Sequence, residues 1–154
     1  MTVRRFTGAD AAATSAMIAR SLRDSCVRDY GETAIEALIG RLQPDDLLER
    51  AAHTHFYVAE DGGAIVGCGS VGPYWDSTTE ACLFSIFVDP AMQRRGVGRA
   101  IVGTLERDEY AAHALCIHVH ASVTGLPFYA ALGYSFEGSD RPDREGLYLL
   151  KKCL

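Results

Sequence analysis

The sequence predicts a single mixed α/β domain, and three observations carry that prediction. Short β-rich runs alternate with segments of helical periodicity between Thr2 and Lys152; no repeat, low-complexity tract or Pro/Gly linker divides them. In addition, 154 residues with 48% apolar and 23% charged content bury about two-thirds of the unfolded surface in one core, with no need of a metal or disulfide.

TVRRF (Thr2 to Phe6) reads as a short strand. Thr7, with Asp10 three residues later, is a helix start, and the helix is expected to run to about Ser21. From Tyr30 to Ala52 the pattern is helical but broken at Gly40 and Pro44, which predicts two short helices. HFYVAE (His55 to Glu60) and AIVGCGSVG (Ala64 to Gly72), joined by Asp61, Gly62 and Gly63, form a hairpin. ACLFSIFV (Ala81 to Val88) is a third, strongly apolar strand. Val97, Ile101, Val102 and Leu105 then recur at helical spacing, on a helix expected to reach about Ala112. LCIHVHA (Leu115 to Ala121) returns as a strand with Leu115, Ile117 and Val119 on one face and Cys116, His118 and His120 on the other. GLPFYAALGY (Gly125 to Tyr134) reads as a short helix ended by Gly133, before closing strands near Ser135 to Glu137 and Leu147 to Lys152.

The formal net charge of −5 and pI near 5.5 argue against nucleic acid or an anionic membrane as partner, since those surfaces attract concentrated Lys and Arg. A mild acidic excess favours cationic or amine partners. Tyr110 to Phe136 lacks any Asp, Glu, Lys or Arg, but with three histidines, Pro127 and two glycines it reads as a buried core run rather than a membrane span. Arg4 and Arg5 are followed by Asp10 with no long apolar block, so no targeting signal is inferred. Five cysteines (Cys26, Cys68, Cys82, Cys116, Cys153), an odd number with no CxxC pair, are expected all to be free, in a reduced cytoplasmic interior.

The most informative stretch is VDPAMQRRGVGRAIV, Val88 to Val102. Gly96 and Gly98 fall between the end of a strand and the start of a helix, where glycine allows unusual backbone angles and close approach of a ligand. Free amides converging at a helix N-terminus favour an anion, and Arg94, Arg95 and Arg99 add full charges. The natural guest is a phosphate or pyrophosphate. Neither GxxxxGK[ST] nor GxGxxG with a downstream ribose-binding acid is present.

Gln93-Arg94-Arg95-Gly96-Val97-Gly98, following an apolar strand and Val88-Asp89-Pro90, resembles the coenzyme A pyrophosphate loop of the GNAT superfamily of N-acetyltransferases, Q/R-x-x-G-x-G/A. Thirty residues on, Pro127 to Tyr134 (PFYAALGY) resembles that family's FYxxxGF helix, and Ala121 to Tyr129 is similar to the A-S-x-x-A-x-P-F-Y variant. The order of elements agrees from Val3 to Leu150. The resemblance implies a six- to seven-stranded mixed sheet flanked by about four helices, in a single N-acetyltransferase domain over residues 1–154. It also implies acetyl-CoA as co-substrate, with no metal.

It implies roles as well. Ile86, Phe87 and Val88 would pair their backbone with the pantetheine arm, the amides and side chains from Gln93 to Arg99 (Arg94, Arg95, Gly96, Val97 and Gly98 among them) would hold the pyrophosphate, and Phe128 would line the site. A strand amide would face the thioester carbonyl, where charge develops as the amine attacks. Tyr129 matches the family's tyrosine, a general acid for the leaving thiolate, the bland alternative being an aromatic that packs its helix. The family's Asn seven residues before the tyrosine is Ser122 here, and its strand carboxylate is replaced by Cys82 and Phe84.

The base is therefore assigned to Glu80, which shares strand parity with those two residues, against its reading as a solvated strand end; His120 is second. Cys116, His118 and His120 alternate on a face able to hold zinc, yet no third histidine or carboxylate falls in register, and they read as packed. Ser25 to Ala52, the acceptor side in this family, holds Tyr30, Glu32, Glu36, Asp45 and Asp46, whose carboxylates suit an ammonium or solvent equally. The expected partner is a small-molecule or peptide amine, with a homodimer the assembly to test. The alternative is a catalytically weak coenzyme A binding module, and a third reading is an interaction domain without ligand.

Overall fold

The computed structural model describes residues 1–153. A seven-stranded mixed sheet in the order β1-β2-β3-β4-β5-β7-β6 forms the centre. Its strands are β1 (Thr2–Arg5), β2 (His55–Asp61), β3 (Ala64–Pro73), β4 (Glu80–Val88), β5 (Cys116–Ala121), β6 (Ser135–Phe136) and β7 (Tyr148–Cys153). Seven α-helical segments are described: α1 (Ala11–Ser25), α2 (Val27–Tyr30), α3 (Glu32–Ile39), α4 (Pro44–His53), α5 (Val97–Arg107), α6 (Glu109–Ala112) and α7 (Leu126–Ala131). Against the expectation of about four helices, seven are found among the described residues, of which α1, α3, α4 and α5 exceed two turns. Among the described residues no helix is long and apolar enough to cross a membrane.

A 3-10 turn over Gly8–Asp10, capped at Thr7, leads into α1: the Thr7 amide donates to the Asp10 carboxylate at 2.8 Å, and Arg4 grips the same carboxylate with two bonds of 2.9 Å. The helix continues four residues past the expected Ser21 and buries Met17, Ile18 and Leu22 under one face of the sheet, with Phe56, Val58 and Phe87. On the other face α5 buries Val97, Ile101, Val102 and Leu105 against β3. Gly67 and Gly69 make that close packing possible: a Cβ on either would lie 2.7 or 2.8 Å from an Ile101 methyl.

Three expectations are corrected. The helix starting at Val97 does not run through to Ala112. It stops at Asp108, where the backbone turns extended (ψ 151°) and the inward carboxylate accepts hydrogen bonds from Tyr57 Oη (2.6 Å), His55 Nδ1 (2.8 Å) and the Tyr110 amide (3.0 Å). Leu115 is not on the buried face with Ile117 and Val119 but 63% exposed, because β5 begins only at Cys116. Tyr110 and Phe136, the ends of the uncharged run, are also exposed. Finally, Cys116 and Cys153 face one another across β5 and β7 and are joined by a disulfide; Cys26, Cys68 and Cys82 are free.

Candidate active site

Among the described residues β4 and β5 are the one parallel pair, and they separate. Their pairing runs from Glu80↔Cys116 to Leu83↔Val119 and stops. On its other side β4 remains bonded to β3 as far as Gly67↔Val88, through a bulge in which Ser85 and Ile86 together oppose Gly69. Ser85 adopts a left-handed conformation (φ 52°) at that bulge. From Phe84 to Val88, then, one edge of β4 has no partner strand, and its backbone polar groups are available to an extended ligand. Ile86 and Val88 pack into the α5 core and Phe87 into the α1 core, so the side chains expected near the pantetheine anchor the strand from both faces.

Where β4 ends, the chain makes a one-turn 3-10 helix over Pro90–Met92, capped by Asp89. Asp89 pairs with Arg20 (2.7 Å), and Gln93 Nε2 donates to Ser25 Oγ (2.9 Å), tying the loop to α1. Arg94 (φ 65°) and Gly96 (φ 82°) turn the chain into α5 through left-handed angles. The first-turn amides of α5 have no intrahelical acceptor. Arg94, Arg95 and Arg99 are exposed around them, and none forms an ion pair among the described residues. At Gly98 a Cβ would sit 3.0 Å from the Phe128 ring and 3.5 Å from Val88. The two motifs recognised separately in sequence are therefore in contact.

Tyr129, on α7, is 7% exposed and lies edge-on to Phe128 and Tyr134. Burial holds its phenol well above the ordinary tyrosine range, so it keeps its proton. Tyr134 carries no signal in the sequence beyond its place in the second motif; its hydroxyl is buried beside Tyr129 without a hydrogen-bond partner among the described residues. The Ser122 hydroxyl accepts from the Gly125 amide (3.2 Å), capping the 3-10 turn over Val123–Gly125 that leads into α7 and Tyr129. Tyr30 closes the other side by donating to Gly146 O (2.6 Å) and accepting from the Val123 amide (2.9 Å).

Glu80 is not brought to the opening. It precedes Phe84 by four residues, roughly 13 Å along a strand, and its carboxylate meets His118 Nε2 at 2.8 Å. The opposite ring nitrogen of His118 meets Glu137 at 2.9 Å, and the buried ring stacks on Tyr74. Two such bonds to carboxylates need two protons among the three groups. His118 is thus engaged, Cys116 is oxidised, and His120 is exposed above them. Among the described residues no cluster of His, Cys, Asp and Glu is arranged to hold a metal. A cleft of about 420 Å³ beside Glu80, Asp76 and Glu109 lies at the opposite end of β4 from the arginine-ringed loop.

A mixed sheet that opens at its parallel pair, with an anion-ready helix N-terminus at the end of the opening, defines an acyltransferase-type domain. The chain belongs to the GNAT acetyltransferase family: the profile of the acetyltransferase (GNAT) domain matches residues 52–136, more than half its length. Among solved structures it is similar to the PaiA N-acetyltransferase of Thermoplasma acidophilum in complex with coenzyme A (16% identity, TM-score 0.86, 99% of this chain and 98% of that one). It is also similar to a GCN5-related N-acetyltransferase of Rhodopseudomonas palustris (24%, 0.82, 99% and 95%). A third is YncA of Salmonella typhimurium, a putative acetyltransferase with acetyl-CoA (17%, 0.71, 100% and 94%). At these identities the likeness shows the fold. No curated protein matches the sequence.

Proposed function

We propose that residues 1–154 form one N-acetyltransferase domain of the A-S-x-x-A-x-P-F-Y subgroup, moving acetyl from acetyl-CoA to a primary amine by direct attack. The observation that carries this reading is the joined geometry of the opening: a free β4 edge leads to open amides at α5, and Phe128 links that loop to Tyr129. Acetyl-CoA would lie with its pantetheine along Ile86, Phe87 and Val88 and its pyrophosphate over Gln93 to Arg99. No metal enters the scheme. The acceptor is a small-molecule amine, or a peptide N-terminus or lysine. The compartment proposed is the cytoplasm, and the Cys116–Cys153 pair is the observation that weighs against it.

In this scheme the neutral amine attacks the thioester carbonyl, its nitrogen–carbon bond forms, and the carbon–sulfur bond breaks with the electron pair leaving on sulfur. Tyr129 gives the thiolate its proton. A phenol held above its usual range yields only to a strong base, and a thiolate leaving into the same dry surroundings is one, because desolvation raises its own affinity for a proton. The proton shed by the amine reaches Glu80 through solvent, the carboxylate being too distant for contact.

Tyr129→Phe keeps the ring and removes the donor. Acetyl-CoA affinity and melting temperature should stay near those of the native chain while kcat falls about 100-fold; undiminished kcat on a good amine would end the mechanism. Glu80→Gln should slow the reaction most at moderate pH and recover as rising pH neutralises the amine unaided; a flat ratio across pH would remove Glu80 from the scheme. The remoteness of Glu80 favours the second reading, a weak coenzyme A binding module, in which both substitutions leave coenzyme A binding and a negligible basal rate unchanged.

A further inference from the structure

Arg50 has no role in the scheme above, yet its setting is unusual. It lies in the last turn of α4, where the helix dipole favours a cation anywhere on the surface. Instead of extending into solvent, the side chain is half-buried, with the guanidinium carbon 5.4 Å from the centre of the Phe84 ring. Phe84 is the first β4 residue beyond the last β4–β5 pair, so Arg50 stands at the mouth of the opening. Glu80 and Cys82 share the Phe84 face of β4, and His118 meets Glu80 there. The Ile86 and Val88 side chains pack on the opposite, α5 face.

No carboxylate answers this charge. Arg4 is held by Asp10 and Glu60, Arg20 by Asp89 and Arg23 by Glu36, but Arg50 forms no salt bridge or side-chain hydrogen bond among the described residues. The carboxylates expected to serve an acceptor are in part committed elsewhere: Glu36 to Arg23, and Asp46 to the Gln43 amide. The ionisable groups that act on Arg50 are the thiols of Cys68 and Cys82, each pushed up to about 12 by burial and hence neutral. Desolvation opposes the Arg50 charge, so a half-buried guanidinium with five donors and no acceptor gains from a bound anion. Phe84 lies within cation–π reach of the guanidinium but offers its N–H groups no acceptor, so these remain for a ligand to engage.

We propose that Arg50 is a specificity-determining residue of the acceptor site, and that the amine substrate also carries a carboxylate, which the Arg50 fork receives while the amine points to the gap between β4 and β5. This rests on the proposed acetyl transfer and narrows its acceptor to amino acids and related amino-carboxylates. A single charge-assisted contact of this kind discriminates by about ten- to a hundredfold.

The test compares matched acceptors, β-alanine with β-alaninamide and 4-aminobutyrate with 4-aminobutyramide, by coenzyme A release. The native chain should prefer the carboxylate of each pair by about ten- to a hundredfold in kcat/KM, chiefly through KM. Arg50→Met, which keeps the apolar stem over Phe84, should abolish the preference with the KM for acetyl-CoA unchanged, and Arg50→Lys should restore part of it. Equal use of both members by the native chain, a preference that survives Arg50→Met, or a loss confined to the acetyl-CoA KM would each overturn the assignment. If no amine in the panel elicits coenzyme A release, acetyl transfer to these acceptors fails on its own account. The anchor is then read by thermal shift of the coenzyme A-loaded protein with the same acids: a shift lost in Arg50→Met supports it, and no shift in the native chain refutes it.

Discussion

Gly98 offers the sharpest test of the loop, because two demands coincide there. A Cβ at this position would fall 3.0 Å from Cε1 and Cζ of Phe128 and 3.5 Å from a Val88 methyl. Carbon atoms rest about 3.5–4.0 Å apart, so the ring must retreat by roughly half an ångström for alanine and further for valine. Phe128 is only partly buried and has room to move, which places Gly98→Val within the usual overpacking cost of about 1–3 kcal/mol. For a domain of this size that is a fall in melting temperature of roughly 2–12 °C. Binding should suffer as well, since the valine side chain would stand where the pyrophosphate must approach the amides and would displace the ring between loop and Tyr129. Calorimetry with coenzyme A is expected to show affinity at least tenfold weaker, about 1.4 kcal/mol. Gly96→Ala is the control: nothing lies within 4 Å of its Cβ, and the cost is the φ of 82° alone, about 1–2 kcal/mol. A Gly98→Val protein that melts earlier but binds coenzyme A with native affinity would show that the glycine serves packing alone and refute the loop assignment.

Two further outcomes follow from groups away from the opening. Asp10, gripped by Arg4, has its carboxyl lowered from 3.8 to about 2, so its contribution to stability is complete above about pH 4 and is lost as pH falls through about 2. Asp10→Asn should cost about 2 kcal/mol at pH 7 in urea unfolding, with the difference from the native chain closing as pH approaches 2; a pH-independent difference would reject the ion pair as its source. Thiol titration of the unreduced, denatured protein should count three thiols (Cys26, Cys68 and Cys82), and a count of five would reject the Cys116–Cys153 pairing.

What the sequence revealed was whatever depends on neighbours in the chain. The turn into α5 was legible because Gly96 supplies a left-handed angle only eight residues beyond Val88, where the strand it follows ends. The stop at Asp108 was not, because Glu109 to Ala112 is itself good helix and the groups that draw the carboxylate inward, Tyr57 and His55, lie more than fifty residues upstream. The disulfide was missed for the same reason: a separation of 37 residues says nothing of the β5–β7 register that sets Cys116 opposite Cys153. At Gly98 the sequence points to close approach of a ligand, and the group that the fold itself brings nearest is Phe128 from the second motif, about thirty residues on and equally invisible to local pattern. Arg50 gave no signal at all, since an arginine in the last turn of a helix is ordinary until its missing carboxylate and its place over Phe84 are seen.

One residue accounts for the opening. Strict alternation along β4 would send Ala81, Leu83, Ser85 and Phe87 to one face and Cys82, Phe84, Ile86 and Val88 to the other. The observed packing breaks that rule: Ala81 and Leu83 share the α5 core with Ile86 and Val88, while Phe87 joins the α1 core. Only an extra residue can reverse the parity, and Ser85, left-handed and opposite Gly69 together with Ile86, is that residue. The bulge bends β4 at the point where its pairing with β5 ends, so the arrangement that lets the second half of the strand fill both cores also frees its outer edge. In sequence the trace is a single serine within ACLFSIFV. A polar residue inside an otherwise apolar strand is therefore a reason to test for a reversal of face beyond it, and here that reversal separates the acceptor side, with Phe84 and Arg50, from the stretch assigned to the pantetheine, Ile86 to Val88.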